Sequence, residues 1–221
     1  MTNLTLYHVA NTRSVRPLIL YHELKSIYGQ RIPELMVHLI PKEQLRAPNK
    51  AAILYELNPN AKVPVLQHGE TVIFEGCAIC LYFLKMFDED HILASENQDF
   101  RAILYQFSVY TPGTLDNLTA HSSPIQKVYG DNNPMPNTDP DAVARNKEAW
   151  LQIAAPFLVS TLANRGFMYG DKFTALDVIV GFFVIGVQFK RPDWIIPFAT
   201  LNDYVNRLKL RPMFQKTFQT A

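Results

Sequence analysis

The chain has 221 residues, 48% hydrophobic and 19% charged, with a formal net charge of +1. This balance suits a globular protein with a sizeable core, and a charge so near zero supplies no basic field for nucleic acid or an acidic membrane surface. Two cysteines do not make a secreted disulfide framework.

The first residues, "MTNLTLYHVANTR", show no basic region followed by a long apolar run, so no signal peptide is expected. The longest apolar run, "VIVGFFVIGV" at 178–187, is too short to span a bilayer. A soluble, cytoplasmic protein with no membrane or nucleic-acid partner is the expectation.

In chain order, "LTLYHV" (4–9) reads as a short strand. "NTRS" follows with residue types that cap helices, and Val15, Leu18, Ile19 and Leu24 then recur at helical spacing. Pro17 falls near the first turn, where its missing N–H costs little. "ELMVHLI" (34–40) reads as a second strand, and 41–61, with Pro41, Pro48 and Pro59, as loop plus a short helix. "VPVLQ" and "TVIFE", separated by "HGE", form an antiparallel pair, and a helix is predicted over 76–87. These elements make a small α/β sheet domain over 1–86.

A polar linker covers 87–98. Helical patterns dominate the remainder, 99–221, at roughly 98–118, 141–164, 175–188 and 199–208, so the second domain is all-α. The stretch 121–141, "HSSPIQKVYGDNNPMPNTDPD", is rich in turn formers and reads as a long irregular loop, of a kind that is often a functional lid or simply mobile.

The order of motifs is more specific than any one of them. "NPNAKVPVL", then Glu75, then "AICLYFL" closely resembles the thioredoxin-like N-terminal domain of glutathione transferases. "NTRSVRP" matches that family's polar loop and Arg-containing helix, and "FTALDVIVG", with Thr174 and Asp177, matches a helix start in its helical domain. The resemblance covers both domains and implies an α/β thioredoxin-like domain followed by an all-α domain that completes an electrophile site. Taken alone, Pro64 reads as an edge-strand proline. With Glu75 at its spacing, the resemblance implies a cis proline, with Val63 presenting its N–H and C=O to an extended thiol peptide.

The implied co-substrate is glutathione. Glu75 matches the acidic residue that holds its amine, and the N–H groups of Gly76 and Cys77 open a helix suited to its α-carboxylate. The family usually carries serine where this chain has Gly76, so one hydroxyl donor is missing. Lys62 matches a position that contacts the glycine end. His38, Lys42, Arg46 and Lys50 are further cations, for each of which solvated surface charge is the simpler reading.

A thiol of ordinary pKa, about 8.5, is mostly protonated at neutral pH and needs a donor to stabilise its anion. In serine-type members the donor follows Leu-Tyr after four residues; counted from Leu6-Tyr7 it is Thr12. A plain helix N-cap is the competing role for Thr12. Asn11 and then Ser14 follow as thiol-contacting candidates. Tyr7 ranks last, since tyrosine-type members place their residue at the position of Leu6 and alternation turns Tyr7 to the core. The chain is therefore serine/threonine-like rather than tyrosine-like.

"CAIC" invites a redox reading, but relatives of this fold with a redox C-x-x-C carry it where "ANTR" stands here. Residues three apart on a helix also hold their Cβ atoms about 5–6 Å apart, whereas a disulfide needs about 3.8 Å. Cys77 and Cys80 read as small apolar helix residues, and no metal is expected.

For the second substrate, a small hydrophobic electrophile, Tyr110 leads, with Tyr105, Leu115, Phe189 and Trp194 as other candidates; core packing competes at each. The resemblance also implies a homodimer. The resemblance implies an enzyme that conjugates the glutathione thiol to an electrophile; the alternatives are glutathione-dependent disulfide or peroxide reduction, or isomerisation, and a non-catalytic binding or stress-regulatory role.

Overall fold

Alternation along the first strand sorts its side chains onto two faces, and the rest of the N-terminal fold follows from what covers each. In the computed structural model, which describes residues 3–45, 50–120 and 140–220, β1 (Leu4–His8) lies inside a four-stranded sheet of order β2-β1-β3-β4. β2 (Leu35–Leu39) runs parallel to it, whereas β3 (Val65–His68) and β4 (Thr71–Phe74) are antiparallel. The predicted "VPVLQ" strand starts later than expected, at Val65 after the proline, which has no N–H for the ladder.

Helix α1 (Val15–Tyr28) connects β1 to β2, α2 (Ala52–Leu57) precedes β3, and α3 (Gly76–Phe87) follows β4. Tyr7, Val9 and Val65 pack with Leu54 of α2 and with Ile40 and Ala61. Leu4, Leu6 and His8 alternate with Tyr7 and Val9 and are buried too, so both faces of β1 are covered.

The chain divides into two compact units that do not follow chain order: Met1–Leu93 with Arg211–Ala221, and Ala94–Leu210. The last helix, α11 (Pro212–Thr220), packs on α1 within the first unit. At its start Arg211 donates two hydrogen bonds to the buried Glu23 carboxylate, from Nε at 2.9 Å and Nη2 at 2.7 Å. Within the helix, Thr217 Oγ1 lies 2.7 Å from His22 Nδ1. A fork of this kind fixes direction as well as supplying attraction.

The second unit is helical. The two long patterns expected at 98–118 and 141–164 appear as α4 (Gln98–Tyr110) with α5 (Asp116–Ala120), and α6 (Pro140–Ala149) with α7 (Ala155–Thr161). Each pair is joined by a π-helical turn, Thr111–Leu115 and Trp150–Ala154. Pro112, which has no N–H to give, lies in the first of these. The expected irregular stretch 121–141 lies outside the described residues except for Pro140 and Asp141, which open α6.

Helix α8 (Ala175–Lys190) begins at the predicted hydroxyl–x–x–Asp motif, and the short α9 (Pro192–Ile195) follows it. Asp177 accepts from Thr174 N–H at 2.8 Å and from Met168 N–H at 2.8 Å, and Tyr204 of α10 (Ala199–Lys209) donates to it at 3.0 Å. Gly181 in mid-α8 has a packing reason: a Cβ there would run into Leu208 Cδ1 of α10. Among the described residues no helix is long and apolar enough to cross a membrane.

Candidate functional site

The first unit brings three separated pieces of sequence to one place: the loop after β1, the proline before β3 and the start of α3. Gly76 shows the convergence directly. A Cβ built on it would lie 3.6 Å from Pro64 Cγ, 3.7 Å from Arg13 O and 3.9 Å from Pro17 Cδ. These are ordinary contacts, so the position admits a small side chain.

The Val63–Pro64 peptide bond is cis. Among the described residues the N–H and C=O of Val63 make no backbone hydrogen bond, although β3 begins two residues later. Lys62, half-buried, accepts at its carbonyl from Asn58 Nδ2 at 3.0 Å, which holds the approach to the proline.

Glu75 is exposed and has φ 74° and ψ 116°, a left-handed conformation for a residue that is not glycine. Such geometry costs on the order of 1–3 kcal/mol and clusters at ligand clamps. It is the residue before Gly76, where α3 starts, and its carbonyl accepts from Ile79 N–H at 3.0 Å. The first turn of α3, from Gly76 to Ala78, carries helix-start N–H groups that the Glu75 side chain does not cap.

The loop after β1 is built on hydroxyls. Thr12, half-exposed, has its Oγ1 2.8 Å from Val9 O, a bond it donates, and 2.7 Å from Ser14 Oγ. Ser14 is fully buried, with Oγ 2.8 Å from His8 Nδ1 and accepting from Val9 N–H at 3.2 Å. Helix α1 begins at Val15 with Ser14 as its N-cap residue, so Thr12 is not the helix cap. Asn11 is exposed with φ 58°, a conformation asparagine tolerates better than most residues. Tyr7 is buried as expected from alternation, its hydroxyl donating to Gln67 Oε1 at 3.3 Å.

Cys77 and Cys80 are buried thiols on α3, joined in no disulfide. Burial raises the Cys80 pKa well above its ordinary value, with the neighbouring Cys77 adding to the effect. Arg16, buried on α1, reaches Cys77 Sγ with Nη1 at 3.9 Å. Sequence reading singles out neither Arg16 nor His8. In sequence Arg16 is one more cation, and His8 is one polar residue in an apolar strand.

The remaining candidates fall elsewhere. His38 lies on β2 with its ring 5.1 Å from that of Tyr7; Lys42 is exposed; Lys50 donates to Asn60 O at 3.4 Å; Arg46 lies outside the described residues. In the second unit Tyr110 ends α4, half-buried, 5.7 Å edge-on to Phe157, and burial raises its pKa. Leu115 and Trp194 are core residues, while Tyr105 and Phe189 are exposed. Among the described residues no cluster of three or more His, Cys, Asp or Glu side chains could hold a metal ion.

Residues 2–85 match the family described as glutathione S-transferase, N-terminal domain. That match makes residues 2–85 a glutathione S-transferase N-terminal domain. Solved structures extend the likeness of fold over the whole chain. A bacterial glutathione S-transferase, BphK, solved as a ternary complex, is 16% identical over 98% of both chains with a TM-score of 0.78. The glutathione transferase URE2P6 from Phanerochaete chrysosporium, in complex with oxidized glutathione, is 18% identical over 99% of this chain and 96% of its own, with a TM-score of 0.79. A sphingomonad glutathione S-transferase complexed with glutathione is 17% identical over 98% of both chains, with a TM-score of 0.76. The convergence at Gly76 falls within the matched domain.

Proposed function

We propose that the chain binds glutathione and conjugates its thiol to a small hydrophobic electrophile. The observation that carries this reading is the meeting of the loop after β1, Pro64 and the start of α3 at Gly76, which supports one group for each part of the peptide. Glu75 takes the amine, and the N–H groups of Gly76 and Cys77 take the α-carboxylate. The peptide groups of Val63 pair with the cysteinyl unit as an added strand would, and Lys62 faces the glycine carboxylate.

The thiol loses its proton to solvent on binding, and Thr12 donates to the sulfur anion. Asn11 is the second donor, and Ser14, being buried, supports Thr12 rather than touching sulfur. The thiolate then attacks the electrophilic carbon and the leaving group departs with the bonding pair. The helical region, 99–221, supplies the apolar groups for the electrophile, with Tyr110 first. Ala102, Tyr105 and Val109 form an exposed row on α4, which supports pairing as a homodimer. Two thiols outside any disulfide support a cytoplasmic setting.

Retention on immobilised glutathione, followed by a panel of aryl halide, disulfide and peroxide substrates, tests the reading. Retention with turnover of the aryl halide is expected. Failure to bind glutathione would leave a non-catalytic role, and turnover of disulfides alone would make the chain a reductase.

The glycine at 76 gives a second test. Gly76→Ser meets only ordinary contacts and needs no left-handed backbone. It supplies the hydroxyl donor that relatives carry. A hydrogen bond to a charged group contributes roughly 1.5–3 kcal/mol, so glutathione should bind tenfold or more tighter by calorimetry. Unchanged or weaker affinity would remove the α-carboxylate from this helix start.

A further inference from the structure

His8, which no part of the proposed chemistry uses, is fully buried, and its Nε2 has no hydrogen-bond partner among the described residues. Its other nitrogen, Nδ1, is 2.8 Å from Ser14 Oγ, which is 2.7 Å from Thr12 Oγ1. We propose that His8 is a positioning residue: its Nδ1–H donates to Ser14, Ser14 donates to Thr12, and the Thr12 hydroxyl proton, held by Val9 O in the ligand-free protein, is thereby left to turn to the glutathione sulfur when the peptide binds. The inference rests on the reading that Thr12 meets that sulfur.

Proton counting supports this direction. A serine oxygen has one proton and two acceptor sites. The Val9 N–H occupies one site of Ser14 at 3.2 Å. If His8 Nδ1–H fills the other, Ser14 can accept nothing from Thr12, and its own proton goes to Thr12 Oγ1 at 2.7 Å or to Val9 O at 3.1 Å. Thr12 then keeps its proton for an outside acceptor or for Val9 O, 2.8 Å away. With the ring proton on Nε2 instead, Ser14 donates to Nδ1, and Thr12 is drawn inward to the acceptor site that Ser14 has open.

The burial of Nε2 separates the two states. A buried N–H with no acceptor is among the rarest defects in folded proteins, so Nε2 is better left as a bare lone pair and the proton held on Nδ1. Burial also lowers the His8 pKa and keeps the ring neutral, so the question is one of tautomer rather than charge. His8 shares the β1 face of Leu4 and Leu6, away from Tyr7. It therefore acts on the sulfur only through the two hydroxyls.

Nitrogen chemical shifts of the His8 ring in the ligand-free protein test the direction without any substrate; the Nδ1–H tautomer is expected, and an Nε2–H ring overturns the proposal. The second arm measures the bound glutathione thiol pKa by ultraviolet thiolate absorbance in His8→Leu, His8→Asn and Thr12→Val. His8→Leu removes the donor and should raise the thiol pKa by roughly half to one unit, the equivalent of one neutral hydrogen bond, with little change in glutathione affinity. His8→Asn places an amide N–H near the Nδ1 position and should restore most of the shift. If Thr12→Val raises the pKa while a folded His8→Leu does not, the chain from His8 is wrong and the role of Thr12 stands. If Thr12→Val leaves the pKa unchanged, the reading of Thr12 fails and the role of His8 falls with it.

Discussion

Thr12→Val is expected to raise the pKa of the bound glutathione thiol by about one to two units and to lower the neutral-pH rate roughly tenfold to a hundredfold. The size is that of one hydrogen bond to a charged group, roughly 1.5–3 kcal/mol, at about 1.36 kcal/mol per pKa unit. Valine keeps the branched shape of threonine and loses only the donor. The side chain is half-exposed, so its loss is felt at the sulfur more than in the fold. The pKa in the pH dependence of kcat/KM should rise in step with the thiolate absorbance of the binary complex, while glutathione affinity changes little.

The neighbours of Thr12 should behave differently. Tyr7→Phe leaves the thiol pKa alone, because that hydroxyl is spent on Gln67 inside the fold. Asn11→Gly keeps the left-handed backbone at φ 58° and should shift the pKa less than Thr12→Val. A larger shift from Asn11→Gly or Tyr7→Phe than from Thr12→Val would move the chemistry to that residue.

Asp177→Ala should have the largest effect on stability, a loss of roughly 3–5 kcal/mol in urea unfolding. The carboxylate accepts from Met168 N–H, Thr174 N–H, the Thr174 hydroxyl and the Tyr204 hydroxyl, at 2.8, 2.8, 3.1 and 3.0 Å. Asp177 and Tyr204 are completely buried, so alanine strands these donors where water does not reach. A loss below about 1 kcal/mol, the net worth of one ordinary hydrogen bond, would show that the cluster is not a stability centre.

Asp177 also gives a pH signature. Burial raises its pKa from 3.8 to about 6, against the opposing pull of its hydrogen bonds. Between those two values the folded state holds more protons than the unfolded state, so this group stabilises the fold in acid. That contribution is lost as pH rises through 6. The amide of the Asp177→Asn variant does not titrate. The stability advantage of the parent over Asp177→Asn should therefore shrink by about 2 kcal/mol between about pH 4.5 and 7. An advantage that grows with pH would mean that the hydrogen bonds outweigh desolvation.

Local patterns in the sequence decide much of this architecture because their causes are local. Alternation in "LTLYHV", the apolar spacing after Val15, the glycine turn between β3 and β4 and the hydroxyl–x–x–Asp box before α8 each depend on residues a few positions apart. All four appear in the structure. The burial of Tyr7 follows from the same period of two.

Groups that meet only after folding are a different matter. The spacing after Val15 marks one apolar stripe, yet α1 also buries Leu20, Tyr21, Glu23 and Tyr28. Part of the reason is α11, nearly two hundred residues away, whose leading Arg211 grips Glu23. Arg16 and Cys77 come together because α1 and α3 pack side by side, and nothing in either local segment marks them as neighbours. Ser14 lies two residues from Thr12 and reads from the sequence as a thiol contact. Only the buried ring of His8 on the adjacent strand shows that its hydroxyl is turned inward. Hydrophobic periodicity tells which way a side chain points, but hydrogen-bond direction depends on every donor and acceptor within about 3 Å, and tertiary packing alone decides which those are.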